Sequence, residues 1–228
     1  MKYYRPDPEL DARINEIKRK IRLSMNGVVY EMMTQNGIVY KKNFGVPIPR
    51  IKEIAKGYEP NHDLAQRLWS LKIRETMIMA TLLEPADKFT PELAHIWAAD
   101  LNQVEIVEQA TMNLLSKLSF ANELVLEWIG AENRWAKVAG FLLAARIGGK
   151  LTGGEVDCVV LNGMASAGID DYHLYKSVAV CFSRLCRRGK DTAASIWKEL
   201  ETLSENKSAS AQYISSEVKQ EILFLDIL

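Results

Sequence analysis

The chain has 228 residues, ample for a continuous hydrophobic core and too long for a small fold that depends on disulfide staples. Apolar residues make up 48% and charged residues 25%, an ordinary globular composition that excludes intrinsic disorder and collagen- or mucin-like repeats. Lysine plus arginine total 29, as do aspartate plus glutamate, so attraction to nucleic acid or to an anionic membrane would have to come from a local surface.

Apolar residues recur at helical rather than strand intervals in nearly every segment between glycine and proline punctuation. The spacing predicts helices over about 8–24, 26–35, 48–56, 61–69 and 72–83 in the first part of the chain. The first of these carries a basic run, Lys18, Arg19, Lys20 and Arg22, and Lys41-Lys42 follow the second. Gly45, Pro47 and Pro49 fix a loop ahead of the third, where Ile51 and Ile54 face a core and Arg50, Lys52 and Lys56 face solvent. Trp69 and Trp97 lie in apolar stripes and are expected to pack in the core, and Arg74-Glu75 is expected to form a simple exposed or interhelical ion pair.

Further helices are predicted over 91–99, 101–118, 122–129, 132–147, 153–166, 171–188, 191–204 and 208–227. Pro91 suits a first helical turn, and Gly148-Gly149 read as left-handed caps. The segment from Gly148 to Gly154 lacks the order of a phosphate-binding loop and reads as an interhelix turn. Cys158, Cys181 and Cys186 are too few and too unevenly spaced for a disulfide framework or a zinc site, and are expected to be reduced and buried. His62, His95 and His173 show no paired spacing for a metal or a nucleophile–base couple. The first residues lack a signal-peptide core, and the longest charge-free stretch, Cys158 to Ile169, falls short of the ~20 apolar residues of a membrane span. A cytoplasmic protein without a membrane partner is expected.

Thirteen short helices joined by short turns cannot make one four-helix bundle. They read as stacked antiparallel pairs, an all-α α-solenoid, in a single domain over residues 1–228. Charge is segregated along it: residues 1–74 carry 15 basic and 8 acidic groups, residues 75–130 carry 2 and 9, and residues 131–228 carry 12 of each. If nucleic acid is the partner, its phosphates would have to be held by the first third and by a few carboxy-terminal arginines.

The stretch Asn43 to Lys56, NFGVPIPRIKEIAK, resembles the amino-terminal signature of the bacterial DNA alkylation repair family, the AlkD-like HEAT-repeat DNA glycosylases. Leu68-Trp69, Arg74-Glu75, Ala80, Leu82 and Leu83 are similar to the family's next helix pair, and Asn133-Arg134-Trp135 to the start of a later helix. By helix order the resemblance covers roughly residues 10–205. It implies a HEAT-like superhelix whose concave face holds duplex DNA around an alkylated purine, with no metal and no cofactor. An alkylated ring nitrogen makes the base cationic and its glycosidic bond weak. A nearby carboxylate can then stabilise charge developing on the sugar and orient water, while flanking aromatic faces attract the cation.

The resemblance assigns the acid to Glu108, with Glu105 its neighbour, where the family has a Trp-Asp-x-x-Asp pattern. On a helical wheel Glu108 lies at the edge of the apolar stripe formed by Leu101, Val104, Val107, Thr111, Leu114, Leu115 and Leu118. Arg50, Lys52, Trp135, Lys176, Arg184, Arg187 and Arg188 are the candidate DNA contacts. The last three also suit the negative end of a helix dipole. The sequence departs from the pattern at Val104 and Val180, where the family has tryptophans, and at Val138, where it has an arginine. Tyr172, Tyr175 and Trp135 are the aromatic candidates to stand in for a lost tryptophan. Two readings follow: a DNA-binding repair protein that hydrolyses the glycosidic bond of N3- or N7-alkylated purines, or a noncatalytic scaffold for altered DNA or a protein segment.

Overall fold

The computed structural model describes residues 5–227. Among these residues it holds thirteen α-helices, three 3-10 turns and no strand, so the protein is all-α as its periodicity predicts. In chain order the helices are α1 (Pro8–Leu23), α2 (Gly27–Gln35), α3 (Ile48–Ala55), α4 (His62–Ser70), α5 (Arg74–Leu83), α6 (Pro91–Ala98), α7 (Val104–Asn113), α8 (Ala121–Ile129), α9 (Arg134–Ile147), α10 (Gly153–Ser166), α11 (Tyr172–Cys186), α12 (Lys190–Ser204) and α13 (Ala209–Phe224). Internal packing divides them into two compact units, one ending at Ala94 and the other beginning at His95.

In the first unit, α4 and α5 pack as a hairpin, α3 lies against α5, and α1 touches both α3 and α4. Helix α1 begins at Asp7, whose carboxylate accepts from the N–H groups of Glu9 and Leu10, and buries Leu10, Ile14, Ile17 and Ile21 at helical spacing. Trp69 is buried, as its place in an apolar stripe requires. Arg74 and Glu75 differ from expectation: both are buried. Glu75 Oε1 accepts from the backbone N–H groups of Phe44 at 3.1 Å and Val46 at 3.3 Å. The Arg74 guanidinium donates to the Val46 carbonyl at 2.8 Å and pairs with Glu75 at 3.1 Å. The pair pins the loop before α3 from below, satisfying backbone groups that would otherwise be buried unpaired. Gly45 is needed in that loop. Its φ is +67°, and a Cβ there would fall 2.2 Å from the Asn26 carbonyl oxygen at the start of α2.

The second unit has two layers. Helices α7, α9, α11 and α13 succeed one another in one layer, each packed on the next, while α8, α10 and α12 form the other. Hairpins α8–α9 and α12–α13 join the layers. Gly140 lets α9 come down on α8, since a Cβ there would meet the backbone of Ile129 at 2.7 Å and of Trp128 at 2.9 Å. Side-chain caps start the helices of the site: Asn133 accepts from Trp135 and Ala136 N–H groups for α9, and Asp171 from His173 and Leu174 for α11.

Two local expectations are corrected. The single helix over 101–118 is the shorter α7 followed by a 3-10 turn, Leu115–Lys117, because the backbone turns out of helical geometry at Leu114. Gly148 is not left-handed; its φ is −47° and ψ −36°, and α9 tightens into a 3-10 turn over Gly148–Lys150.

Candidate nucleic-acid interface

Along α11, Tyr172, Lys176, Val180 and Arg184 recur every fourth residue, and all four are exposed. Such spacing puts them in one row on one helix face. The neighbouring helices of the same layer flank the row, with Val104 and Glu108 of α7 and Leu142 and Arg146 of α9 on one side and Tyr213, Glu217 and Glu221 of α13 on the other.

Three openings lie along this surface. The first, about 120 Å³, is lined by Val104, Glu108, Leu142, Tyr172, His173, Lys176, Ser177 and Val180. Glu108 is reachable from solvent there, yet burial against these walls raises its carboxyl above the usual carboxylate range. Arg146 and Lys176 pull it down, and Glu105 adds a smaller upward push. The Tyr172 hydroxyl accepts from Lys176 Nζ at 3.2 Å and helps raise the lysine's pKa, and the ammonium lies 5.3 Å from the Tyr172 ring centre.

The second opening is a wide hollow of about 450 Å³ lined by Ser116, Ala145, Arg146, Ile147, Lys150 and Arg184. Three cations converge on it, and its lining includes no carboxylate among the described residues. Arg146 is held in place by donating Nε–H to the Thr111 hydroxyl at 3.1 Å, while that hydroxyl donates to the Val107 carbonyl at 2.9 Å. The third, about 210 Å³, lies between α11 and α13 and includes Val180, Arg184, Arg187, Tyr213 and Glu221.

The residues singled out from sequence are therefore distributed unevenly. Glu108, Lys176 and Arg184 share the α11 surface, and Glu105 stands on the same helix as Glu108, half-buried. Trp135 is half-buried, its ring tilted against that of His173 at 5.3 Å, with the Arg134 guanidinium 4.7 Å from its ring centre. Arg187 forms an ion pair with Glu221, and Arg188 donates to the Gly148 carbonyl. Arg50 and Lys52 belong to α3 in the first unit, where Arg50 pairs with Glu53 at 2.7 Å and donates to the Ser24 hydroxyl at 3.1 Å. Sequence reasoning passed over Arg146, Lys150 and Tyr213. The one signal that could have found the row was the four-residue spacing along α11. Cys181 and Cys186 are buried, which pushes both thiols up, Cys186 to about 12, while Cys158 is only partly covered. No helix among the described residues is long and apolar enough to cross a membrane.

These features are those of a layered helical protein with a cationic hollow on one face. The fold is similar to that of a solved protein described as belonging to "a new family of proteins related to the HEAT-like repeat DNA glycosylases with affinity for branched DNA structures". The TM-score is 0.78 at 13% identity, covering 94% of this chain and 95% of that one. No curated protein sequence matches the chain. Residues 25–156 match the DNA alkylation repair enzyme family, and the chain belongs to that family.

Proposed function

We propose that the protein binds DNA through the α9 and α11 face of its second unit, gripping phosphates without excising bases. The observation that carries this reading is the hollow where Arg146, Lys150 and Arg184 converge with no carboxylate in its lining among the described residues. Such a cluster neutralises backbone phosphates and is indifferent to base sequence. The DNA can be an ordinary duplex or, like that of the structurally similar protein, a branched structure. A DNA target and three free thiols, two of them buried, are consistent with a cytoplasmic location.

The surroundings of Glu108 favour binding over excision. An alkylated purine arrives as a cation, and the field at this carboxylate already comes from Arg146 and Lys176. Val104, Leu142 and Val180, which line the opening at Glu108, supply no ring quadrupole.

A second reading rests on the accessible, burial-raised carboxyl of Glu108. In it, the C1′–N bond breaks with its electron pair leaving on the alkylated base, which departs neutral. Glu108 stabilises the resulting sugar cation, then takes a proton from water as that water's oxygen bonds to C1′. Incubation with methylated duplex separates the two. The binding reading predicts retention of the duplex without release of free methylpurine, and equal affinity for Glu108→Gln. Release of methylpurine by the unaltered protein, abolished in Glu108→Gln, would establish the enzyme instead.

A further inference from the structure

Where α11 begins, the geometry points to a stacking platform for unpaired nucleobases, formed with α9 and α13. This inference rests on the DNA-binding reading and deepens it. Five rings follow one another across three helices: Trp135 to His173 at 5.3 Å, His173 to Tyr172 at 5.4 Å, Tyr172 to Tyr175 at 5.6 Å and Tyr175 to Tyr213 at 5.1 Å. The core aromatics of the same layer, Phe141 and Phe182, are fully buried, whereas none of these five is, and Tyr172 is 52% exposed. A continuous strip of rings kept partly wet is a costly surface for a protein to leave uncovered.

Cations are set into the strip. Arg134 lies 4.7 Å from the Trp135 ring centre and Lys176 5.3 Å from that of Tyr172. The nearest capping carboxylate, Asp171, is already engaged, paired with Arg134 and accepting from two backbone N–H groups of α11. Rings with a cation beside them, here Lys176, are what a single strand requires, because each exposed base needs a face to lie on and its phosphates a positive charge, while Arg134 is held by Asp171. Bases inside a duplex are stacked on one another and gain nothing from such a strip.

Position supplies the rest of the argument. Tyr172 and Arg184 stand in one row of α11, and the twelve residue steps from one to the other span roughly 18 Å. That is about five base-pair steps of duplex. DNA whose phosphates rest on Arg146, Lys150 and Arg184 would reach the rings where its strands have come apart, as at a junction or a tailed end.

The experiment compares a fluorescently labelled blunt duplex with the same duplex carrying a single-stranded tail, by anisotropy. The unaltered protein binds the tailed DNA more tightly. Tyr172→Ala, at a half-exposed helix start, weakens tailed DNA by about 5- to 150-fold and the blunt duplex by much less, while Tyr172→Phe retains the preference. Equal affinity of the unaltered protein for the two DNAs, or an equal loss on both in Tyr172→Ala, would overturn the platform while leaving duplex binding intact. Failure to bind either DNA would remove the platform together with the function it rests on.

Discussion

The Glu108 carboxyl is open to solvent on one side and walled by Val104, Leu142 and Val180 on the other, and burial outweighs the pull of Arg146 and Lys176. Its pKa is therefore higher in the folded protein than in the unfolded chain. The folded state binds the proton more tightly, so the stability this group contributes is full below the unfolded value and is lost as pH rises through the folded value. Glu108→Gln is expected to flatten that part of the pH–stability profile, just above the ordinary carboxylate range, and to leave the profile at lower pH unchanged. Thermal unfolding of both proteins across that range checks it; an unaltered slope would mean that the carboxylate is fully solvated. Sequence brought Glu108 to attention through the resemblance to the family's Trp-Asp-x-x-Asp pattern, supported by its place at the rim of an apolar stripe. Arg146 was hidden, because it lies on a different helix and reaches the site only through the α7–α9 contact and the Thr111 hydroxyl.

Element boundaries were legible wherever a local rule decides them. Asp7, Asn26, Asn61, Asp171 and Ser208 each cap a helix close to where the apolar periodicity begins. The rule failed where tertiary packing takes over. At Leu114 the apolar stripe continues through Leu118 while the backbone does not, and Leu114, Leu115 and Leu118 are buried from a turn rather than from a helix. The loop from Asn43 to Val46 was recognised by its glycine and prolines, but not its fixation by buried Arg74 and Glu75, which the sequence presents as an ordinary charged pair. Gly140 gives a test at this scale. Gly→Ala in a helix interior ordinarily stabilises by about 1 kcal/mol. Here the new methyl meets the backbone of α8, which cannot rotate away, and overpacking is expected to cost about 1–3 kcal/mol. Urea denaturation should show Gly140→Ala less stable than the parent. Gly154→Ala, whose added methyl meets nothing within 4 Å, should not be destabilised. Equal behaviour of the two variants would remove the close approach of α8 and α9.

Neutral net charge gives no hint of a DNA-binding protein, and the uneven distribution along the chain resolves the paradox only in part. The basic first third is the obvious candidate from sequence, yet Arg50 there is occupied by Glu53 and Ser24. The second unit carries more acids than bases, 17 against 13, but its layered packing sorts them, gathering Arg146, Lys150 and Arg184 around one hollow while Arg134 and Arg187 are spent on Asp171 and Glu221. Such sorting depends on which helix faces share a layer, and composition cannot report it. The most direct test is the dependence of DNA affinity on salt for the parent protein and for Arg146→Ala/Arg184→Ala. Phosphate binding at this hollow predicts that affinity falls steeply as salt rises, and that the double variant binds more weakly with a log–log slope shallower by about 2. An affinity insensitive to salt, or a double variant with the slope of the parent, would contradict it.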